Sequence, residues 1–175
     1  MSKYIRDIII TILIALLIFI LLHTTVGSFK VYGTSMMPGI KDGEYIMVAK
    51  ISYYFGPPQR GDVIVFDSPR NPGSDLIKRV IGIPGDTIEI KDNRVFLNKQ
   101  PLNEPYILEK PVYRYPEQQV PPGNYFVLGD NRNNSSDSHT GWLLPKENII
   151  GKALFSYWPP PDWSIVKHYP ILADR

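Results

Sequence analysis

The chain has 175 residues, of which 12% are aromatic, and a formal net charge of +2. It contains no Cys, which excludes disulfides, thiolate catalysis and Cys-ligated zinc. The charge is nearly balanced and forms no long basic run, so nothing points to a nucleic-acid partner.

Residues Ile8 to Phe29 carry no Asp, Glu, Lys or Arg. A helix of that length spans roughly 33 Å at ~1.5 Å per residue, close to the ~30 Å hydrocarbon core of a bilayer. The segment reads as one transmembrane anchor covering residues 1–29 with its short leading tip. A cleaved signal peptide is the rival reading, but Thr25-Val26-Gly27 is a poor small-residue cleavage site. Lys3 and Arg6 precede the apolar stretch, and the positive-inside rule then puts the N-terminus in the cytoplasm and residues 30–175 on the outer face.

Beyond the anchor, Pro (17) and Gly (13) cut up a chain rich in β-formers, the composition of a strand-rich fold. Val31 to Pro38 is an extended stretch ending in a loop. Asp42-Gly43 is a turn signal, followed by a strand at Tyr45 to Val48. Arg60-Gly61-Asp62 leads into Val63-Ile64-Val65-Phe66, the pattern of a buried strand. Leu76 to Ile83 is a further strand, closed by Pro84-Gly85 as a type II turn. Thr87 to Ile90 and Val95 to Leu97 form a hairpin around Asp92-Asn93. Residues 98–121 are polar and Pro-rich and read as a small β insert. Asn124 to Leu128 and Ile149 to Trp158 complete the strands. Trp158 and Trp163 flank a Pro run and suit the interfacial layer of a membrane.

Three stretches could carry chemistry. Side chains alternate across a strand, so Lys78 shares a face with Leu76 and Val80. A lysine held against apolar surface loses hydration, its pKa falls, and the neutral amine can accept a proton. A solvated edge lysine is the plain alternative. Ser35 lies between Gly33 and Pro38, a restricted backbone that could present a nucleophile. The α/β-hydrolase elbow is not matched, because Met37 stands where that motif has its second Gly. The run from Gly129 to His139 is dense in short polar residues that cap and cross-link loops. His139 and Asp137 leave a Ser-His-Asp arrangement open, and the EF-hand pattern fails at Arg132.

Taken in order behind the anchor, four segments resemble the conserved boxes of type I signal peptidases. They are Ser35-Met36-Met37-Pro38, Arg60 to Phe66, Lys78 to Asp86, and Gly129-Asp130-Asn131-Arg132 with Asn134-Ser135 and Asp137-Ser138. The resemblance implies a mostly β catalytic domain behind a single membrane helix. It implies a serine endopeptidase that removes signal peptides from exported preproteins after small residues (A-x-A), at a bacterial cytoplasmic membrane, with no cofactor and no metal. Ser35 would be the nucleophile and Lys78 the general base, with Ser135 orienting the lysine. The Ser35 N–H would serve the oxyanion hole, and Asp130, Arg132 and Asp137 would brace the loop. Substrate would lie extended near residues 31–37 and 76–78, against Phe29, Val31, Met36, Ile40, Leu76 and Ile77.

This chain departs from the pattern at two places. Gly33 stands where some members have an oxyanion-donating serine, which leaves the Thr34 hydroxyl, a water or nothing as second donor. His139 stands where many members have Arg as a partner for Asp137, and a His there makes the pairing depend on pH. Two other classes compete: a self-cleaving regulator of related Ser-Lys chemistry, and a membrane-tethered β-domain that binds peptides without turnover.

Overall fold

The computed structural model describes residues 3–171. In chain order the elements are α1 (Lys3–Thr25), β1 (Val26–Lys30), β2 (Tyr45–Ala49), β3 (Val63–Asp67), β4 (Asp75–Gly82), β5 (Thr87–Lys91), β6 (Arg94–Leu97), β7 (Gln100–Pro101), β8 (Tyr115–Gln119), β9 (Asn124–Leu128), β10 (Leu144–Pro145), β11 (Ile149–Trp158) and β12 (Ser164–Ile165).

The helix α1 has a mean hydropathy of 2.8 in its most apolar window, and none of that window is buried against protein. A helix apolar all round that packs on nothing suits a lipid surround. It ends at Thr25, four residues short of the expected Phe29. The rest of the uncharged stretch is β1, paired antiparallel with β2 from Val26↔Ala49 to Lys30↔Tyr45. Charge alone could not mark this boundary, because Val26, Gly27, Ser28 and Phe29 are as uncharged as the helix before them.

The strands form two sheets. The larger runs β1-β2-β11-β3-β4-β9-β10, with β12 on β11, and the smaller runs β7-β6-β5-β8. The fold is therefore mostly β behind one apolar helix, as expected. The smaller sheet already takes in β5 and β6, so it starts ahead of the polar stretch at 98–121. The β5–β6 hairpin turns on Asp92 and Asn93, both with positive φ, as a two-residue type I′ turn requires. Ile83 to Asp86 closes through the Asp86 N–H on the Ile83 carbonyl at 3.0 Å, and Gly85 takes the positive φ of a type II turn.

Three apolar clusters hold the fold. One joins Ile88, Ile90, Val95 and Leu97 of the small sheet to Phe126 and Leu128 of β9. A second packs Val31, Met36 and Ile40 on Ile46, Val63, Val65 and Ile77. A third gathers Ile64, Phe66, Val80, Tyr125, Val127 and Leu144. Each such fully buried side chain contributes about 1.5–3 kcal/mol. The second cluster matters most here, since it seats the 31–40 segment against β4. Trp158 and Trp163 are both exposed, at 54% and 68%.

Candidate active site

The loop bearing Ser35 is fixed from both ends. Gly33 takes φ +85°, a left-handed conformation that suits glycine, and its N–H donates to Asp42 Oδ1 at 2.7 Å. Met36 beneath it is buried in the second cluster. Across the loop, the Asn131 N–H donates to the Ser35 carbonyl at 2.9 Å. Asn131 Nδ2 donates to the Thr34 carbonyl at 3.1 Å, and Asn134 Nδ2 donates to Thr34 Oγ1 at 2.9 Å. The Ser35 N–H itself donates to no protein acceptor among the described residues.

Strand β4 lies between β3 and β9, with Lys78 opposite Ile64. Its alternation sends Lys78 and Arg79 to opposite faces. Lys78 is only 3% exposed. Its Nζ donates to Ser35 Oγ at 2.7 Å and to the Ile77 carbonyl at 2.8 Å. Among the described residues it makes no salt bridge. Burial therefore pushes its pKa down to about 8, against the opposing pull of the Asp137 and Asp130 carboxylates.

Arg79 is equally buried but fully paired. Its guanidinium grips Asp130 through two bonds of 2.8 and 2.6 Å, reaches the Gly61 carbonyl at 2.9 Å, and lies over the Tyr106 ring at 4.4 Å. Burial pushes the Asp130 carboxyl above its ordinary pKa, with Arg79 opposing. Arg132, fully buried, makes a second bidentate pair with Glu104, at 2.9 and 2.7 Å, and donates from Nε to the Gly129 carbonyl at 3.0 Å. Asp137 accepts the Gly129 N–H at 2.9 Å and meets His139 Nδ1 at 2.6 Å. These pairs clamp the 129–137 loop against β4 and against Glu104, while the Asn131 and Asn134 bonds hold it to the Ser35 loop.

The His139 ring stacks on Tyr113, with centroids 3.8 Å apart. No hydrogen bond joins His139 to Ser35 among the described residues, so the Ser-His-Asp arrangement left open by the sequence is not assembled. Ser135 Oγ is buried without a hydrogen-bond partner among the described residues. It packs against Gly129, where an added Cβ would collide with both Ser135 Oγ and the Ser35 carbonyl. Only glycine allows that approach.

Of the residues expected to touch substrate, Phe29, Val31, Leu76 and Ile77 line a cleft of about 110 Å³ together with Ser35 and Lys78. Ile46 and Val65 form its floor, and Tyr32 and Asp75 also face it. Met36 and Ile40 do not line this cleft and sit in the core beneath, 1% and 3% exposed. Gly33 and Thr34 hold the loop beside it. Sequence reasoning missed Glu104 and Arg79. Arg79 had a signal, since it neighbours Lys78 on a strand too apolar to leave a guanidinium unpaired. Glu104 had none, standing in a polar segment where any carboxylate looks solvated.

A family model described as signal peptidase, peptidase S26, matches residues 2–158. The chain belongs to that family. Among its relatives, a probable signal peptidase I-1 of Synechocystis sp. is 43% identical over 99% of this chain and 92% of its own length. Signal peptidase IB of Staphylococcus aureus is 35% identical over 91% of this chain and 92% of its own. The crystal structure of a signal peptidase I from Enterococcus faecalis superposes with a TM-score of 0.50 at 35% identity, over 54% of this chain and 95% of that one. By membership the chain is an S26 signal peptidase, and the Ser35–Lys78 contact lies within the matched residues.

Proposed function

We propose that the protein is a membrane-bound endopeptidase that cuts signal peptides from exported preproteins after small residues, with Ser35 as nucleophile and Lys78 as general base. The observation that carries this reading is the 2.7 Å contact between Lys78 Nζ and Ser35 Oγ, made by an amine whose pKa burial has lowered to about 8. The neutral amine takes the Ser35 hydroxyl proton as Oγ attacks the scissile carbonyl carbon. The resulting oxyanion lies toward the unengaged Ser35 N–H. Lys78 then gives its proton to the departing amine, leaving an ester on Ser35. Water attacks that ester as Lys78 takes its proton, Lys78 passes the proton to Ser35 Oγ as the ester bond breaks, and the signal peptide leaves as a carboxylic acid that ionises in water.

Ser135 offers a buried hydroxyl that has no hydrogen-bond partner among the described residues, suited to orient the amine. The Thr34 hydroxyl accepts from Asn134 and keeps its own proton free, which makes it the candidate second oxyanion donor. Asp130, Arg132 and Asp137 brace the loop. Extended substrate pairs beside residues 31–37 and 76–78, over Phe29, Val31, Leu76 and Ile77. A cleft of about 110 Å³ is several times smaller than the ~300–1,000 Å³ of ordinary ligand pockets, which favours side chains such as Ala. Residues 1–29 anchor the protein with the N-terminus in the cytoplasm, and residues 30–175, including the 98–121 insert, work on the outer face.

The test is cleavage of a preprotein by the full-length protein in lipid, with N-terminal sequencing of the product. Cutting is expected after A-x-A, and it should fail when the residue before the cut is made bulky or when Ser35→Ala is used. A Ser35→Ala protein that still cuts would sink the assignment.

A further inference from the structure

The register of β1 on β2 fixes what lies beside the end of the membrane helix. Val26 pairs with Ala49, so Lys50 is level with Thr25, the last residue of α1. Lys50 runs alongside the helix–strand junction, its Cε 2.9 Å from where a Cβ on Gly27 would stand. A short 3-10 helix, Lys50–Tyr54, follows at once. Tyr53 turns inward and donates its hydroxyl to Asp62 Oδ2 at 3.1 Å. Tyr54 and Phe55 are left projecting, 86% and 85% exposed, with Ile51 at 38%.

Between this helix and the body is a cleft of about 540 Å³. It is lined by Thr24 of α1, by Lys50, Tyr53 and Tyr54, and by Lys146 and Glu147. The site is separate from the Ser35 cleft and shares no lining residue with it. Thr24 stands one residue before the end of α1, so with α1 spanning a membrane the cleft stands at the bilayer surface and draws its occupant from there. Two lysines against one glutamate favour an anion there. Exposed Tyr and Phe at the same depth suit the boundary between headgroups and acyl chains.

We propose that this cleft holds the headgroup of an anionic phospholipid, with Lys50 and Lys146 on the phosphate and Ile51, Tyr54 and Phe55 seated among the acyl chains. The proposal rests on α1 being a membrane-spanning helix. Seating the loop there fixes how the catalytic body sits above the membrane, since Tyr53 ties the loop to Asp62 at the entrance to β3.

The protein has no Cys, so Phe55→Cys and Val112→Cys each give one labelling site for an environment-sensitive fluorophore. Val112 is 76% exposed, lies outside the cleft lining, and is held through its N–H by Asn133 of the 129–137 loop at 2.9 Å. Full-length protein is reconstituted into phosphatidylcholine vesicles with or without phosphatidylglycerol, and lipid-borne quenchers are added. The label at 55 should be quenched and the label at 112 spared. In detergent, native mass spectrometry should find phosphatidylglycerol retained over phosphatidylcholine. The Lys50→Gln/Lys146→Gln double variant should reduce that preference by at least tenfold, since each basic residue near an anionic surface contributes on the order of fivefold. Cleavage of a soluble peptide by this variant should be unchanged. An unquenched label at 55, equal retention of the two lipids, or displacement of phosphatidylglycerol by inorganic phosphate alone would overturn the proposal. Failure of the protein to enter either vesicle would instead refute the membrane-spanning reading of α1.

Discussion

Replacing Lys78 by Met should stabilise the protein while abolishing its activity. The folded state lowers the lysine pKa from 10.5 to about 8. At ~1.4 kcal/mol per pH unit, holding the protonated amine in that site costs about 3 kcal/mol. The sign follows from proton uptake. Between about 8 and 10.5 the unfolded chain binds a proton that the folded one does not, so wild-type stability rises with pH across that window. Below it both states are protonated and the full cost is present. Above it both are neutral and the cost is gone. Met fills similar volume without a charge but forfeits the bonds to Ser35 and to the Ile77 carbonyl, together worth about 2 kcal/mol. The variant should therefore be more stable than wild type by about 1 kcal/mol at neutral pH, and less stable by about 2 kcal/mol beyond pH 10.5. Urea unfolding of both proteins in the same detergent, repeated across pH, measures the difference. A difference that does not change between neutral and strongly alkaline pH would refute the lowered lysine pKa.

Two further substitutions probe the clamps. Asp130→Asn breaks the bidentate bond to Arg79 and leaves a buried guanidinium without its counter-charge, so it should cost about 3–5 kcal/mol by urea unfolding; a loss under 1 kcal/mol would mean that the pair is idle. Gly129→Ala forces a methyl onto Ser135 and the Ser35 carbonyl. It should destabilise by about 1–3 kcal/mol and lower kcat more than it raises KM, whereas wild-type kcat would show that the loop yields freely.

The parts of this molecule that were legible in the sequence are those where local pattern and packing agree. The strand at 76–83 was readable from its apolar run, and alternation then gave Lys78 and Arg79 opposite faces. The Asp92-Asn93 hairpin and the Pro84-Gly85 turn follow from backbone preference alone. The end of the helix was not legible, because a membrane segment and a first strand built from Val, Gly, Ser and Phe differ in neighbours rather than in polarity. Met36 and Ile40 looked suited to a substrate surface, yet an irregular loop has no period from which to tell inward from outward. The Arg132–Glu104 pair joins residues 28 apart in sequence, and nothing local marks either as buried. The Ser35–Lys78 contact spans 43 positions and was reached only through the ordered boxes.

The claim at the centre is that a buried, uncharged Lys78 draws the proton from Ser35. The most direct test is the pH dependence of kcat/KM for preprotein cleavage by the full-length protein in lipid. The rate should climb about tenfold per pH unit through the acidic and neutral range and level off above about 8, the pKa of Lys78 in the free enzyme. A rate that stays flat from acidic to alkaline pH would contradict a lysine base at this site.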